Sequence, residues 1–210
     1  MLNVVGIDYV SALKEVNLPD GEITEIEPLS KLSELKSVRI LSNKISSLQP
    51  LEQYKTLERL EIADNPISDL SPIALNTGLR IFQLNGTKVA DINCFSKFKG
   101  LVKIDLINTL VKDLSPLKDL TQIKSLKVTN AELIDLSPLE NFSNLKLLSL
   151  AGCSTLENEN FSAALEPISK LEIESLDLSG TKLNDLSVLA SLTKLENLKL
   201  DNSTASDLAP

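Results

Sequence analysis

The sequence predicts an α/β solenoid, with short parallel strands on its concave face and tight helical turns on its convex face. Three observations predict this fold: a 22-residue repeat, alternating apolar and polar residues near the start of each repeat, and a Leu-Ser-Pro-Leu pattern after it. A period of about 20 to 50 residues is typical of stacked repeats. Because each repeat packs only on its neighbours, we expect one continuous domain over residues 1–210.

The repeat is clearest in residues 101–117. Counted from Leu101 as step 0, aliphatic residues stand at steps 3, 5, 10, 13 and 16, with Thr109 at step 8 and Pro116 at step 15. The seventh repeat, which starts at Leu145, is six residues longer than the others. The same frame starts at Leu13, Leu35, Leu57, Leu79, Leu101, Ile123, Leu145, Ile173 and Leu195.

Both ends of the chain fall inside a repeat. Residues 1–12 fit the second half of a preceding partial repeat, and Pro210 stands at step 15 of the last one. A solenoid without polar caps exposes its terminal apolar layers. We therefore expect the chain to be a fragment of a longer protein, although a native start at Met1 is the alternative.

A short strand is expected at steps 2 to 6 of every repeat. In residues 103–107, Ile104 and Leu106 alternate with Lys103, Asp105 and Ile107. Since successive side chains of a strand point to opposite faces, the first two should face inward and the other three should face a partner. Nine such strands are expected to stack in parallel.

The convex face should consist of short 3₁₀ or α turns. In the Leu-Ser-Pro-Leu segments, such as 114–117, serine can cap a helical turn and proline suits its first position. At step 8, Asn or Thr can satisfy backbone groups where the chain leaves the strand. Ala131 cannot, so we expect water or a side chain of a neighbouring repeat to take its place.

The seventh repeat differs from the others. Phe161, Leu165 and Ile168 follow helical spacing, and Asn158 is a suitable helix cap. The pattern predicts one longer helical repeat on the convex face. Its apolar side chains are typical of core packing, and a raised edge for a docking partner is the alternative.

Composition excludes several classes of function. The net charge of −8 opposes nucleic-acid binding, which requires a basic stripe. No apolar run is long enough to insert into a membrane, and the first residues lack the features of a signal peptide. Cys94 and Cys153 lie more than two repeats apart, so we expect two free thiols.

The residues needed for common catalytic chemistry are missing. The chain has no histidine, which removes the commonest general base and metal ligand. It also has no paired cysteines of the zinc-binding kind and no glycine-rich phosphate loop. The sequence therefore predicts a protein that is not an enzyme and that has no cofactor and no metal site.

The concave strands offer the best candidate for a binding surface. Outward-facing aliphatic residues in repeats two to six are surrounded by charged residues, and such a mixture is typical of binding patches. The surface has no aromatic residue, so its affinity should be modest, and a merely solvated sheet is the alternative. The candidate residues are Arg39, Leu41, Arg59, Glu61, Ile81, Gln83, Lys103, Asp105, Ile107 and Lys127.

The frame L-x-x-L-x-L-x-x-N-x-I-x-x-L-x-P-L resembles the leucine-rich repeat, and the 22-residue form with Asp-Leu-Ser-Pro-Leu is most similar to the bacterial internalins. This resemblance implies a right-handed horseshoe with a parallel β-sheet on the concave face and 3₁₀ turns on the convex face. It also implies a protein-binding scaffold of a cell-surface or secreted protein, whose partner is a host or cell-surface protein.

Two other functions remain open from the sequence. The solenoid could be a structural spacer that presents a neighbouring domain. The 22-residue period is also similar to that of intracellular phosphatase-regulating repeat proteins, so a cytoplasmic regulatory subunit would fit if Met1 is the native start.

Overall fold

In the computed structural model, residues 2–3, 12–155, 161–183 and 185–204 are described. Within these residues nine parallel strands form one sheet, in chain order from one edge to the other. Each strand lies at the start of one repeat. The strands are β1 (Glu15–Asn17), β2 (Ser37–Arg39), β3 (Arg59–Glu61), β4 (Ile81–Gln83), β5 (Lys103–Ile107), β6 (Ser125–Thr129), β7 (Leu147–Ser149), β8 (Ser175–Asp177) and β9 (Asn197–Lys199).

The strands pair in register, so equal steps of neighbouring repeats lie side by side. Phe82 is paired with Leu60 on one side and with Ile104 on the other. Only β5 and β6 have the expected five residues, and the other seven strands have three. The ladder still continues beyond the short strands, because the Ile40 N–H donates to the Glu61 carbonyl at 2.8 Å. Two smaller parallel pairs join Leu2–Asn3 to Ile23–Glu25 and Glu132–Leu133 to Ser154–Thr155.

The inward assignment of the strand residues is confirmed. Ile104 and Leu106 are 0% exposed, and Leu60, Phe82 and Leu126 at the equivalent steps are also fully buried. Because burying one such aliphatic side chain stabilises a protein by roughly 1.5 to 3 kcal/mol, this repeated layer contributes strongly to the stability of the array. The architecture is the leucine-rich-repeat horseshoe that the sequence predicts.

The expected 3₁₀ turns form the opposite wall, but serine does not cap them. In the turns that begin at Ser71, Ser115, Ser137 and Ser187, serine is instead the first residue, and the aspartate two residues earlier accepts its N–H. The Asp113 Oδ1 lies 2.7 Å from the Ser115 nitrogen, and Asp135 makes the same contact with Ser137 at 2.8 Å. The turns are Glu27–Lys31, Gln49–Leu51, Ser71–Ile73, Asn93–Lys97, Ser115–Leu117, Ser137–Asn141, Glu166–Ile168 and Ser187–Ser191.

Polar residues at step 8 satisfy backbone carbonyls, as expected. The Thr109 hydroxyl donates to the Leu106 carbonyl of its own repeat at 3.0 Å. The Asn65 amide donates to the Ile62 carbonyl of its own repeat at 3.2 Å and also to the Ile40 carbonyl of the preceding repeat at 2.9 Å.

In the repeat of Ala131, the next repeat supplies the missing hydrogen-bond donor. The Cys153 thiol, from the next repeat, donates to the Val128 carbonyl at 3.2 Å. Val128 stands at the same step as Leu106, whose carbonyl is served by Thr109. The predicted substitution by a side chain of a neighbouring repeat is thus confirmed, and Cys153 acts as a hydrogen-bond donor.

The strongest backbone constraint lies at step 7, one residue before the polar residues of step 8. The sequence reasoning missed it. The residue at step 7 has a positive φ in all nine repeats. Asn, Asp and Gly tolerate this left-handed conformation best, and eight of the nine residues are of these types. A Cβ at Gly86 would also collide with the Asp64 carboxylate. The residues are Asp20, Ser42, Asp64, Gly86, Asn108, Asn130, Gly152, Gly180 and Asn202.

The seventh repeat contains a helix, but a shorter one than predicted. Helix α1 spans only Phe161–Ala164 and is followed by the 3₁₀ turn Glu166–Ile168. Pro167 explains the early end, because proline lacks an N–H and disfavours an α conformation in the residue before it. Phe161, Leu165 and Ile168 are buried as expected. The predicted cap, Asn158, lies outside the described residues.

Asn76 is a polar residue in an otherwise apolar column. Its side chain is 0% exposed, and neither its amide nitrogen nor its oxygen has a hydrogen-bond partner. The adjacent Leu75 is 58% exposed. Other repeats place a polar residue first and an apolar residue second at these steps, so the pair is inverted here. The second step of the pair is Leu32, Tyr54, Phe98, Leu120, Phe142 and Leu192 in other repeats.

We predict that Asn76→Leu stabilises the protein. Leucine has the branched shape of asparagine, and it removes an unsatisfied buried amide that costs about 1 to 3 kcal/mol. The urea midpoint should therefore rise. The matched control is Asn141→Leu, which makes the same change at an exposed position and should leave the midpoint nearly unchanged.

We predict that Leu106→Asp destabilises the repeat array by at least about 3 kcal/mol, because it places an unpaired charge in a fully buried layer. Ile107→Asp, one residue further along β5 and partly exposed, should cost much less. Thermal melting of both variants checks this prediction. If Leu106→Asp melted at the same temperature as Ile107→Asp, the inward orientation of Leu106 would be contradicted.

The aspartate turns make stability depend on pH. Hydrogen bonds from the backbone and hydroxyl of Ser71 lower the pKa of Asp69, and those of Ser187 lower the pKa of Asp185. A carboxyl with a depressed folded pKa stabilises the protein above its unfolded pKa of about 3.9, and this contribution is lost as the pH falls through the folded pKa.

We therefore predict that the Asp69→Asn/Asp185→Asn variant is less stable than the wild type at pH 7 and that this difference shrinks below about pH 4. Urea denaturation of the wild type and the variant, at pH 7 and again below pH 4, measures the difference in stability. A stability gap that stays constant on acidification would show that the aspartate charges do not contribute through these turns.

Candidate functional site

The in-register sheet brings the ten candidate residues together on one surface, here called the concave patch. They lie on β2 to β6 or, for Leu41, two residues beyond the end of β2. The patch consists of Arg39, Leu41, Arg59, Glu61, Ile81, Gln83, Lys103, Asp105, Ile107 and Lys127.

Eight of these residues are accessible, and the two carboxylates are not. The side chains of Arg39 and Arg59 are 47% and 46% exposed, but those of Glu61 and Asp105 are only 8% and 4% exposed. The expectation that Glu61 and Asp105 face a partner directly is therefore wrong in its detail. Both lie on the predicted face, but longer neighbouring side chains cover them.

Two arginines clamp the Glu61 carboxylate. Arg39 Nε lies 3.0 Å from Glu61 Oε2, and Arg59 Nη1 lies 2.6 Å from Glu61 Oε1. Arg39 is the register partner of Glu61 on β2, and Arg59 precedes it by two residues on the same face of β3. Each carboxylate oxygen thus has its own guanidinium, which fixes the directions of both arginines.

Asp105 forms a second cluster of the same kind two strands away. Its Oδ2 accepts a hydrogen bond from Gln83 and lies 3.4 Å from Lys103 Nζ. Its Oδ1 is buried and has no hydrogen-bond partner. Lys127 is the register partner of Asp105 on β6 and forms no ion pair with another described residue. In both clusters, the cation is exposed and the carboxylate is beneath it.

A shallow cleft of about 470 Å³ lies along the amino-terminal ends of β1 to β5. It joins residues of the patch to residues at step 1, directly before each strand, which the sequence reasoning did not consider. The residues missed are Lys36, Glu58, Arg80 and Val102. Their signal in the sequence is a mostly basic column at step 1, formed by Lys14, Lys36, Glu58, Arg80, Val102, Lys124 and Lys146 in the first seven repeats.

The described residues offer no nucleophile activated for catalysis. Burial raises the pKa of the Cys94 thiol to about 12, with Asp91 adding to the rise, and burial raises the pKa of Cys153 to about 11. Both thiols are free and are protonated at neutral pH. In the described part of the chain, no group of three or more His, Cys, Asp or Glu residues could hold a metal ion. The patch is therefore suited to ion pairing, hydrogen bonding and apolar contact.

The described helices are all too short or too polar to span a bilayer.

The fold is similar to solved structures of internalins. Over 95% of this chain, an internalin (inlF) from Listeria monocytogenes matches with a TM-score of 0.82 and 28% sequence identity. An internalin C2 (inlC2) from the same organism matches over 89% of this chain with a TM-score of 0.78 and 25% identity. This chain covers 57% of the first structure and 80% of the second.

A plant receptor shares the fold at lower identity. The leucine-rich-repeat ectodomain of the membrane receptor kinase GASSHO1/SCHENGEN3 from Arabidopsis thaliana, in complex with CASPARIAN STRIP INTEGRITY FACTOR 2, matches over 94% of this chain and 25% of its own, with a TM-score of 0.72 and 21% identity. No protein-family model matches the sequence, and no curated protein matches it either.

Proposed function

We propose that this internalin-like leucine-rich repeat protein is a non-catalytic scaffold that binds a protein partner through its concave patch. The observation that carries the proposal is the combination of accessible aliphatic and cationic side chains on one rigid sheet. Ile81 is partly exposed on β4 and is the register partner of Arg59 on β3 and of Lys103 on β5, while Ile107 is partly exposed at the far end of β5. Such a mixture of apolar and charged groups is typical of protein interfaces.

The geometry also favours binding because the cations are already oriented. Arg39 and Arg59 are both tied to the buried Glu61 carboxylate, so they lose less side-chain freedom when a partner docks. Binding residues held on strands are positioned more accurately than residues on loops. The patch has no aromatic anchor, which points to modest affinity from this surface alone.

The cellular location and the kind of partner follow from the similarity to internalins and belong to the proposal. The neighbouring structures are bacterial internalins, which supports a cell-surface or secreted protein whose partner is a host or cell-surface protein. The plant ectodomain in complex with CASPARIAN STRIP INTEGRITY FACTOR 2 supports the use of this fold for holding a protein ligand.

We predict that Ile81→Ser/Ile107→Ser strongly reduces partner capture. Removing two exposed aliphatic groups at the centre of the patch should weaken binding by about 10-fold to 100-fold, since each is worth roughly 1 kcal/mol or more at an interface. The full chain is immobilised, surface-exposed proteins of candidate host cells are passed over it, and the bound fraction is quantified by mass spectrometry.

The matched control is Leu75→Ser/Leu110→Ser, which removes two aliphatic groups that are 58% and 59% exposed outside the concave strands. A specific partner should be retained by the control and lost by the concave variant. If the concave variant and the wild type capture the same proteins equally, the patch is not the binding surface, and a structural spacer becomes the better explanation.

A further inference from the structure

The amino-terminal edge of the concave sheet is basic although the chain as a whole is acidic. At steps 1 and 2 of repeats one to six, six cations face two carboxylates, a local balance of +4 in a chain whose net charge is −8. The basic edge is defined by Lys14, Lys36, Arg59, Arg80, Lys103 and Lys124 together with Glu15 and Glu58.

The charge that reaches solvent along this edge is mainly positive. Arg59 and Lys103 are paired with carboxylates, but their partners Glu61 and Asp105 are buried beneath the surface. Among the described residues, Lys36 and Arg80 form no ion pair, although Glu58 lies between them in the column. Unpaired cations that line a cleft concentrate anionic ligands there.

The cleft also contains apolar side chains. Ile81 and Val102 line it between Arg59, Arg80 and Lys103. A ligand that fills it should therefore carry both negative charges and aliphatic groups. The two carboxylates interrupt the positive edge, which disfavours a uniformly anionic polymer such as a sulfated polysaccharide.

We infer that the basic edge binds an extended acidic peptide segment of the protein partner, with its carboxylates on Lys36, Arg80 and the outward-facing cations and its aliphatic side chains against Ile81 and Val102. The inference rests on the proposed function and names the chemistry of the partner. From β1 to β5 the cleft crosses four strand spacings of about 4.8 Å, or roughly 19 Å. This length fits about six extended residues.

The test uses the full chain and a fluorescein-labelled peptide of about eight residues that mixes glutamate and leucine, with binding measured by fluorescence anisotropy. Lys36→Gln/Arg80→Gln should raise the Kd about 10-fold, because it removes two unpaired cations. Glu58→Gln should lower the Kd, because it removes a repelling carboxylate. Binding should weaken steeply with salt.

The matched control is Lys118→Gln/Lys170→Gln, which makes the same change in net charge at exposed lysines outside the concave strands. It should leave the Kd within about twofold, since long-range screening by salt limits remote charges. A peptide with lysine in place of every glutamate should not bind.

Two results would overturn the inference: equal loss of affinity in both double variants, or no binding of the acidic peptide. In the second case, heparin binding that depends on Lys36 and Arg80 would identify the edge as a polyanion site instead. If the acidic peptide fails while partner capture still requires Ile81 and Ile107, the inference is refuted and the proposed function stands. If peptide binding depends on Lys36 and Arg80 but capture does not require the isoleucines, the concave patch is refuted and the edge remains a peptide site.

Discussion

The in-register pairing of the nine strands is the constraint on which the rest of the structure depends. Because Leu60, Phe82, Ile104 and Leu126 pair side by side, every step of one repeat meets the same step of the next. The residue type at each step is therefore constrained by the residues at the same step of the neighbouring repeats as well as by its own repeat. The constraint explains how Cys153 can serve the Val128 carbonyl that Ala131 leaves without a donor, since a neighbouring residue at the equivalent step is always within reach.

Features that are visible within a single repeat could be predicted from the sequence, whereas a feature that appears only when the repeats are aligned was missed. Strand positions, inward residues and turn locations depend on local periodicity, and these were predicted because period-two alternation at steps 2 to 6 is visible in any single repeat. The left-handed column at step 7 was missed because Ser42 and Asp20 look like ordinary loop residues. Only their alignment with Gly86, Gly152 and Gly180 reveals the shared positive φ.

The surface was predicted less completely than the fold. Alternation shows which face a residue occupies, but it does not show whether a neighbour covers it. Glu61 and Asp105 stand on the expected face and are nevertheless buried, because Arg59 and Lys103 are two residues away on the same side and have longer side chains. The cleft residues Lys36 and Arg80 were missed for another reason: they lie before the strands, where alternation gives no information.

Side-chain length therefore sets the sign of the charge that a partner meets. In the Glu61 and Asp105 clusters the carboxylate forms the lower layer, because the aliphatic stem of Arg59 or Lys103 is long enough to pass over it while the charged end remains in water. A cation and its paired carboxylate cancel in the net charge, but the cation is exposed to solvent and the carboxylate is buried. An acidic chain can thus expose a basic edge on its sheet, and its net charge of −8 does not describe the concave face.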